Sequence, residues 1–250
     1  MIFTIACREF KSLFLSPLAW SILAVLQLIL GYLFLTQIEN FTSIQAQLAS
    51  IDNAPGMTDI IVHPLFANAS VILLLITPLL TMRLICEERR NKTLSLLLSA
   101  PLSGTDIVLG KFLGILGMLA LIVFLISLMP FSLLLGGDLD FGKFFSNILA
   151  LLLLVSAFAA IGLYTSCIAS HPTIAAICSF GLLLLLWILD WTTGLPGQNS
   201  ETLQYLSILK HFQNIQSGLI NSADLCYFLL FISTFLILSV RRLESDRLQK

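Results

Sequence analysis

Charge is so sparse in this chain that apolar runs of membrane length recur six times, at about 17–36, 65–85, 112–135, 145–168, 173–190 and 223–240. A helix needs roughly 20 apolar residues to cross a bilayer. Inside hydrocarbon its backbone groups must be bonded within the segment or in a closed barrel. The runs are continuous, without the two-residue alternation of a barrel strand. They predict an all-α membrane protein: six transmembrane helices in one domain over 1–250. Only 11% of residues are charged, against about 25% in an average soluble domain. Mean hydropathy is +0.98. An ordinary soluble enzyme and a disordered protein are excluded. The net charge of −1 argues against nucleic acid as a partner, since phosphate binding needs clustered Lys and Arg.

The first apolar run is too long for a signal-peptide core, and no small-residue cleavage site follows it, so it reads as a retained helix. Residues 1–16 ahead of it mix Phe3, Ile5, Phe10, Leu13 and Phe14 with Arg8, Glu9 and Lys11. This is the pattern of an amphipathic interfacial helix, and Pro17 favours a break before the span. The alternative is a plain extension of span one. With six spans and the N-terminus inside, eleven of the 13 Lys and Arg residues and six acids fall on the inner side, a net +5. The outer side holds Lys143, Lys210 and eight acids, a net −6, and the two faces sum to the formal −1. This is the positive-inside asymmetry. Trp20, Trp187 and Trp191 fall near predicted helix ends, where an aromatic belt would place them. Four of the five cysteines lie on the inner side or the inner half of a helix, so no disulfide is expected.

Deep intramembrane charges would mark a proton or ion relay. Arg83, Lys111, Asp190 and Asp224 instead fall at predicted helix ends, within reach of the interface. That weighs against a proton-coupled carrier or an ion pump. A phosphate loop needs four residues between its glycines and Ser or Thr after its Lys. The stretch from Gly104 to Gly110-Lys111-Phe112 has five residues and then Phe, so the chain has no ATP site of its own. His63, His171 and His211 stand far apart, with no zinc spacing, and each reads as structural. No metal site is expected.

The most informative segment is the inner loop 86–108. Glu87, Glu88, Arg89, Arg90 and Lys92 crowd into it, followed by Thr93, Leu94, Leu97 and Leu98, a stretch too short to span, and Pro101 ends that stretch. Solvated topogenic bases alone would explain the cations. The paired acids and the short amphipathic helix favour a docking element. Gly110 and Gly114 then open the third span with a small-residue face suited to close helix packing.

Glu87-Glu88-Arg89, Thr93-Leu94, Leu97-Leu98, Pro101 and Gly110-Lys111 occur in that order. So do Arg8-Glu9-Phe10 with Ser16-Pro17 near the start, and Tyr205 to Phe212, Gly218, Asp224, Tyr227-Phe228 and Leu243-Glu244 near the end. The ordered set resembles the ABC-2 type transporter permeases, in particular the gliding-motility and nitrous-oxide-reductase-maturation group. Two departures stand out. Lys92 occupies a position where the group commonly has Gly, and Ile208 follows Ser207 where it often has Pro.

The resemblance implies the ABC-2 (type V exporter-like) fold, with 1–16 as an interfacial helix. It implies that segment 87–98, with Glu87, Glu88, Arg89, Arg90, Lys92, Thr93, Leu94 and Leu97, forms a coupling helix docking on a separate ABC ATPase subunit, which supplies ATP and Mg²⁺; no cofactor belongs to this chain. A second permease copy or a paralogue completes the complex. The setting it implies is the bacterial inner membrane, with both termini cytoplasmic. Segment 191–222, with Leu206, Leu209, Phe212 and Gly218, would return partway into the membrane. Leu203, Leu206, Leu209, Phe212, Ile215 and Leu219 recur at near-helical spacing, which a plain surface helix would also show. The leading reading is an ATP-driven permease subunit. The rival is a non-transporting component that passes ATPase motion to an envelope machine.

Overall fold

The computed structural model describes residues 1–48, 56–93, 103–135, 139–193, 207–219 and 221–248. Among them the chain forms nine α-helices and no strand. These are α1 (Ile2–Phe14), α2 (Pro17–Leu48), α3 (His63–Thr81), α4 (Cys86–Arg90), α5 (Gly104–Phe131), α6 (Phe141–Ile168), α7 (Pro172–Thr193), α8 (Ile208–Gln216) and α9 (Ser222–Leu248). A π-helical turn, Thr58–Val62, leads into α3, and a 3₁₀ turn, Ser132–Leu135, follows α5. Pro64 has no N–H to close an α-helical bond onto Ile60, and the chain widens into the π turn just before it.

Among the described residues five helices are long and apolar enough to cross a membrane: Pro17–Gln45, Thr58–Arg90, Gly104–Leu134, Phe141–Ile168 and Ser222–Arg247. The shorter apolar helix Pro172–Ile188 corresponds to the fifth apolar run. Helix boundaries overrun the apolar runs. The helix of span one, for example, continues through Gln37, Glu39 and Asn40 to Leu48. Hydropathy measures the lipid-facing length, and a helix has no reason to stop where lipid does.

Between α1 and α2 the chain breaks at Leu15–Ser16, and Pro17 opens α2. Helix α1 packs along the first turns of α5. A Cβ on Gly110 would lie 2.7 Å from Ile5 Cβ, one on Gly114 2.6 Å from Glu9 Cβ, and one on Gly117 3.2 Å from the Phe10 ring. The small-residue face of α5 is thus taken up by the N-terminal helix.

Helix α6 is the centre of the bundle. It packs against α3, α5, α7, α8 and α9, and Ala157, Ala159, Ala160 and Leu163 on it are fully buried. Helices α2 and α9 are the least covered. Leu28, Tyr32 and Leu35 on one, and Leu229 and Leu230 on the other, present apolar side chains outward. Contact between α3 and α6 is closest at Gly162, where an added Cβ would sit 2.7 Å from Thr81 Cβ. Thr81 cannot turn away freely, because its hydroxyl donates to Thr77 O at 2.9 Å.

Gly162→Ala should therefore force α3 and α6 apart and lower stability by about 1–3 kcal/mol, the usual cost of overpacking. Gly181→Ala on α7, where a Cβ meets nothing within 4 Å, should be neutral or gain up to about 1 kcal/mol of helix propensity. Thermal unfolding of the two purified variants in one detergent checks the contrast.

Candidate functional site

The site is built around a cation in the wrong place for a soluble-facing loop. Lys111 lies two turns into α5 and is only 2% exposed. An ammonium has three protons to donate, and each finds an acceptor: Glu9 on α1, Leu84 O at 2.6 Å, and Glu88 Oε1 at 2.9 Å on α4. Lys111 is thus at a bundle end, as its sequence position suggests, but enclosed by protein rather than open to water. Its long stem carries the charge back to the end of the bundle, where two carboxylates enclose it. Glu88 Oε2 has no hydrogen-bond partner, so this glutamate is committed to Lys111 alone.

Helix α4 follows a tight turn after Thr81. Ser166 near the end of α6 holds that turn: its hydroxyl accepts from the N–H groups of Ile85 and Cys86, both at 3.1 Å, and donates to Met82 O at 3.2 Å. Arg89 pairs with Asp246 on α9 and donates to Ile168 O at 3.5 Å. Helices α5, α6 and α9 thus bond this five-residue helix and its leading turn directly, and α1 reaches it through Lys111. Its other side is open. Glu87, Arg90, Asn91, Lys92 and Thr93 are exposed. The run Glu87 to Thr93 thus separates into inward groups, Glu88 and Arg89, and outward ones. Successive helical residues step by about 100°, so neighbouring glutamates face different ways. Leu94 and Leu97 lie outside the described residues.

The end of α4 explains one departure seen in the sequence. Thr93 N–H donates to Glu88 O at 3.0 Å and Lys92 N–H to Arg89 O at 3.2 Å. These are the paired bonds of a Schellman cap. Its C′ residue must be left-handed, and Lys92 has φ 58°. Glycine adopts that conformation without penalty; lysine does not.

The stretch that fails the phosphate-loop pattern is helix from Gly104 onward. Ser103 caps it by accepting from Asp106 N–H at 3.1 Å, and Asp106 accepts in return from Ser103 N–H at 3.2 Å. Such a capping box leaves no loop to cradle a phosphate.

A second polar group sits at the opposite end. Asp224, in the first turn of α9 as its sequence position suggests, is buried and bonded to His211 Nδ1 at 2.5 Å, with the imidazole stacked on Tyr227 at a 4.1 Å ring separation. Leu209 and Phe212 of α8 are buried, while Gly218 is exposed with φ 91°. Leu206 lies outside the described residues. Ser146 bonds Ile215 O, and Asn147 Nδ2 donates to Gln216 O at 3.2 Å. These bonds hold α8 to the start of α6. Ile208 occupies the first position of α8, after the Ser207 cap. Proline also suits that position, so the second departure leaves the helix start intact. Lys143 pairs with Asp59 at 2.7 Å, a half-exposed bridge of little energetic weight. Among the described residues no group of three or more His, Cys, Asp or Glu is placed to hold a metal ion.

The sequence matches the family described as ABC-2 family transporter protein over residues 3–246. The chain belongs to that family. It is a multi-pass membrane protein, the permease component of an ABC transporter. A comparison with curated proteins finds no match.

Two outcomes test the geometry of the permease at α4. Lys111→Met leaves two carboxylates facing each other and should cost about 3–5 kcal/mol, the loss seen when one partner of a buried ion pair is removed. Adding Glu9→Gln and Glu88→Gln should restore most of it; unchanged melting of Lys111→Met would show that the cluster is not holding the fold. Lys92→Gly should raise stability by about 1 kcal/mol by relieving the left-handed lysine, read as an upward shift in the thermal midpoint.

Proposed function

We propose that the chain is the membrane-spanning subunit of an ATP-driven transport complex, drawing energy from a separate ABC ATPase through α4 and the residues just after it. The observation that supports this is the two-sidedness of α4. Its inward groups, Glu88 and Arg89, are bonded to α5, α6 and α9, and its outward face presents the exposed charges of Glu87 and Arg90. A surface that transmits force needs both properties. It must offer a recognisable face, and it must be unable to move without moving the bundle.

ATP and Mg²⁺ belong to the partner. A second permease copy or a paralogue supplies the other half, with the uncovered faces of α2 and α9 available to it or to lipid. Pro172–Thr193 completes six spans, and α8 is the part of the re-entrant segment that the described residues include. The ordered motifs from Arg8-Glu9-Phe10 to Leu243-Glu244 favour the gliding-motility and nitrous-oxide-reductase-maturation group within the family. A bacterial inner membrane with both termini cytoplasmic fits the sorting of charge.

The decisive variant is Glu87→Lys with Arg90→Glu. Both residues are exposed and outside every ion pair among the described residues, so melting should stay within about 0.5 kcal/mol of wild type. Stimulation of the partner's ATP hydrolysis should fall at least about tenfold if one or two charge-assisted contacts are reversed. Wild-type stimulation by the reversed pair, in an assembled complex, would remove α4 as the coupling element.

A further inference from the structure

A cavity of about 360 Å³ opens between α1, the end of α3 and α4, within the size range of ligand pockets, about 300–1,000 Å³. Its wall carries Arg8, Arg83 and Glu87, together with the Lys111 cluster, Ser12, and the apolar side chains Leu13 and Leu80. Lys111 is consumed by Glu9 and Glu88. Arg8, Arg83 and Glu87 have no ion-pair partner among the described residues. Two guanidiniums and one carboxylate therefore face the same volume uncommitted. With the Lys111 cluster counted at −1, the lining is neutral, so a simple anion is not its best match.

The level of the cavity is also informative. It lies where α2 begins at Pro17 and α3 ends at Thr81, which are the ends of two apolar spans. Trp20 sits close by in sequence, half-exposed, with its indole N–H on Phe14 O at 2.7 Å. Tryptophan concentrates at the level of lipid headgroups. Leu13 and Leu80 give the lining an apolar side that an acyl chain could follow.

We propose that this cavity binds a phospholipid whose headgroup carries a phosphodiester and a primary ammonium. Arg8 and Arg83 hold the phosphodiester, since guanidinium forks match phosphate oxygens. Glu87 accepts from the ammonium. Among the described residues the lining has no aromatic side chain, and quaternary ammonium is recognised by aromatic cages, so a choline headgroup is the poorer fit. The assignment does not rest on ATPase docking, and its test contains no ATPase.

The test is native mass spectrometry of the full chain in detergent, offered phosphatidylethanolamine and phosphatidylcholine with identical acyl chains. The wild type should retain one ethanolamine lipid per chain in preference to the choline lipid. Arg8→Gln with Arg83→Gln should weaken retention about a hundredfold, the worth of two charge-assisted bonds. Glu87→Gln should equalise the two headgroups, and this single variant decides the matter should the double variant fail to fold. Equal retention of both lipids by the wild type, or undiminished selective retention by the variants, overturns the proposal. Displacement of all retained lipid by millimolar inorganic phosphate also overturns it, by assigning the two arginines to free phosphate.

Discussion

One ammonium organises the α4 end of this protein. A charge taken out of water is tolerated only if its partners are close and its protons are used. Lys111 meets that condition with carboxylates from α1 and α4 and the carbonyl of Leu84. These partners come from separate parts of the chain: Glu9 is 102 residues away in sequence and Glu88 is 23 away. Moving any one of the segments uncovers a charge. The geometry of α4 is thereby bound to the position of the N-terminal helix, which has no covalent reason to be there. The glycine face of α5 serves the same end. Without side chains at Gly110 and Gly114, α1 comes close enough for Glu9 to reach the amine.

Helix α6 connects this end to the other. Ser166 holds the turn before α4, and Ser146 with Asn147 holds α8. The two anchoring points are 20 residues apart on one continuous helix, about 30 Å at 1.5 Å per residue, the thickness of a bilayer core. Within the described residues every ion pair joins groups of a single end: Lys111, Arg89 and Arg242 at one, Lys143 and His211 at the other. No electrostatic bridge among them crosses the middle. What joins the ends is the helices that run between them: α6, packed most tightly at Gly162 against Thr81, and α9, which carries Asp246 at one end and Asp224 at the other. A displacement imposed on α4 can therefore reach α8 through either of two continuous helices that touch both, α6 by Ser166, Ser146 and Asn147, and α9 by Asp246 and Asp224.

Much of the fold is legible in the chain, because lipid imposes a length rule that apolar runs must obey. The break at Pro17 is legible too, since proline has no N–H to give the preceding turn. The interior of the site is less so. Residue type and position mark Lys111 as a charge near a helix end, and only the packing of α1 against α5 makes it buried. Glu87 and Glu88 are indistinguishable in sequence, yet one faces out and the other is held inside. The left-handed turn at Lys92 left no trace in residue type, since lysine does not favour a positive φ. His211 and Asp224 lie 13 residues apart, each on an apolar face, and that pairing of opposite polar types within a short segment is a legible signal. Composition points the other way, because it treats any polar residue near a span end as wet.

The division of α4 into a bound and an open face has an energetic logic. Exposed charges contribute little to stability, about 0–1 kcal/mol per pair, so Glu87 and Arg90 are free to vary with a partner without endangering the fold. Buried ones are costly to disturb, so Glu88, Arg89 and Lys111 are not free in this sense. In the proposed coupling, recognition and transmission thus fall to different residues of the same short helix. Force applied to the open face cannot be absorbed by rearranging the bound face, since each bond broken there strands a charge or a backbone N–H. The less costly response is to carry α1, α5, α6 and α9 along together. A five-residue helix, too short to be stable alone, is in this way made stiffer by its neighbours than its own hydrogen bonds allow.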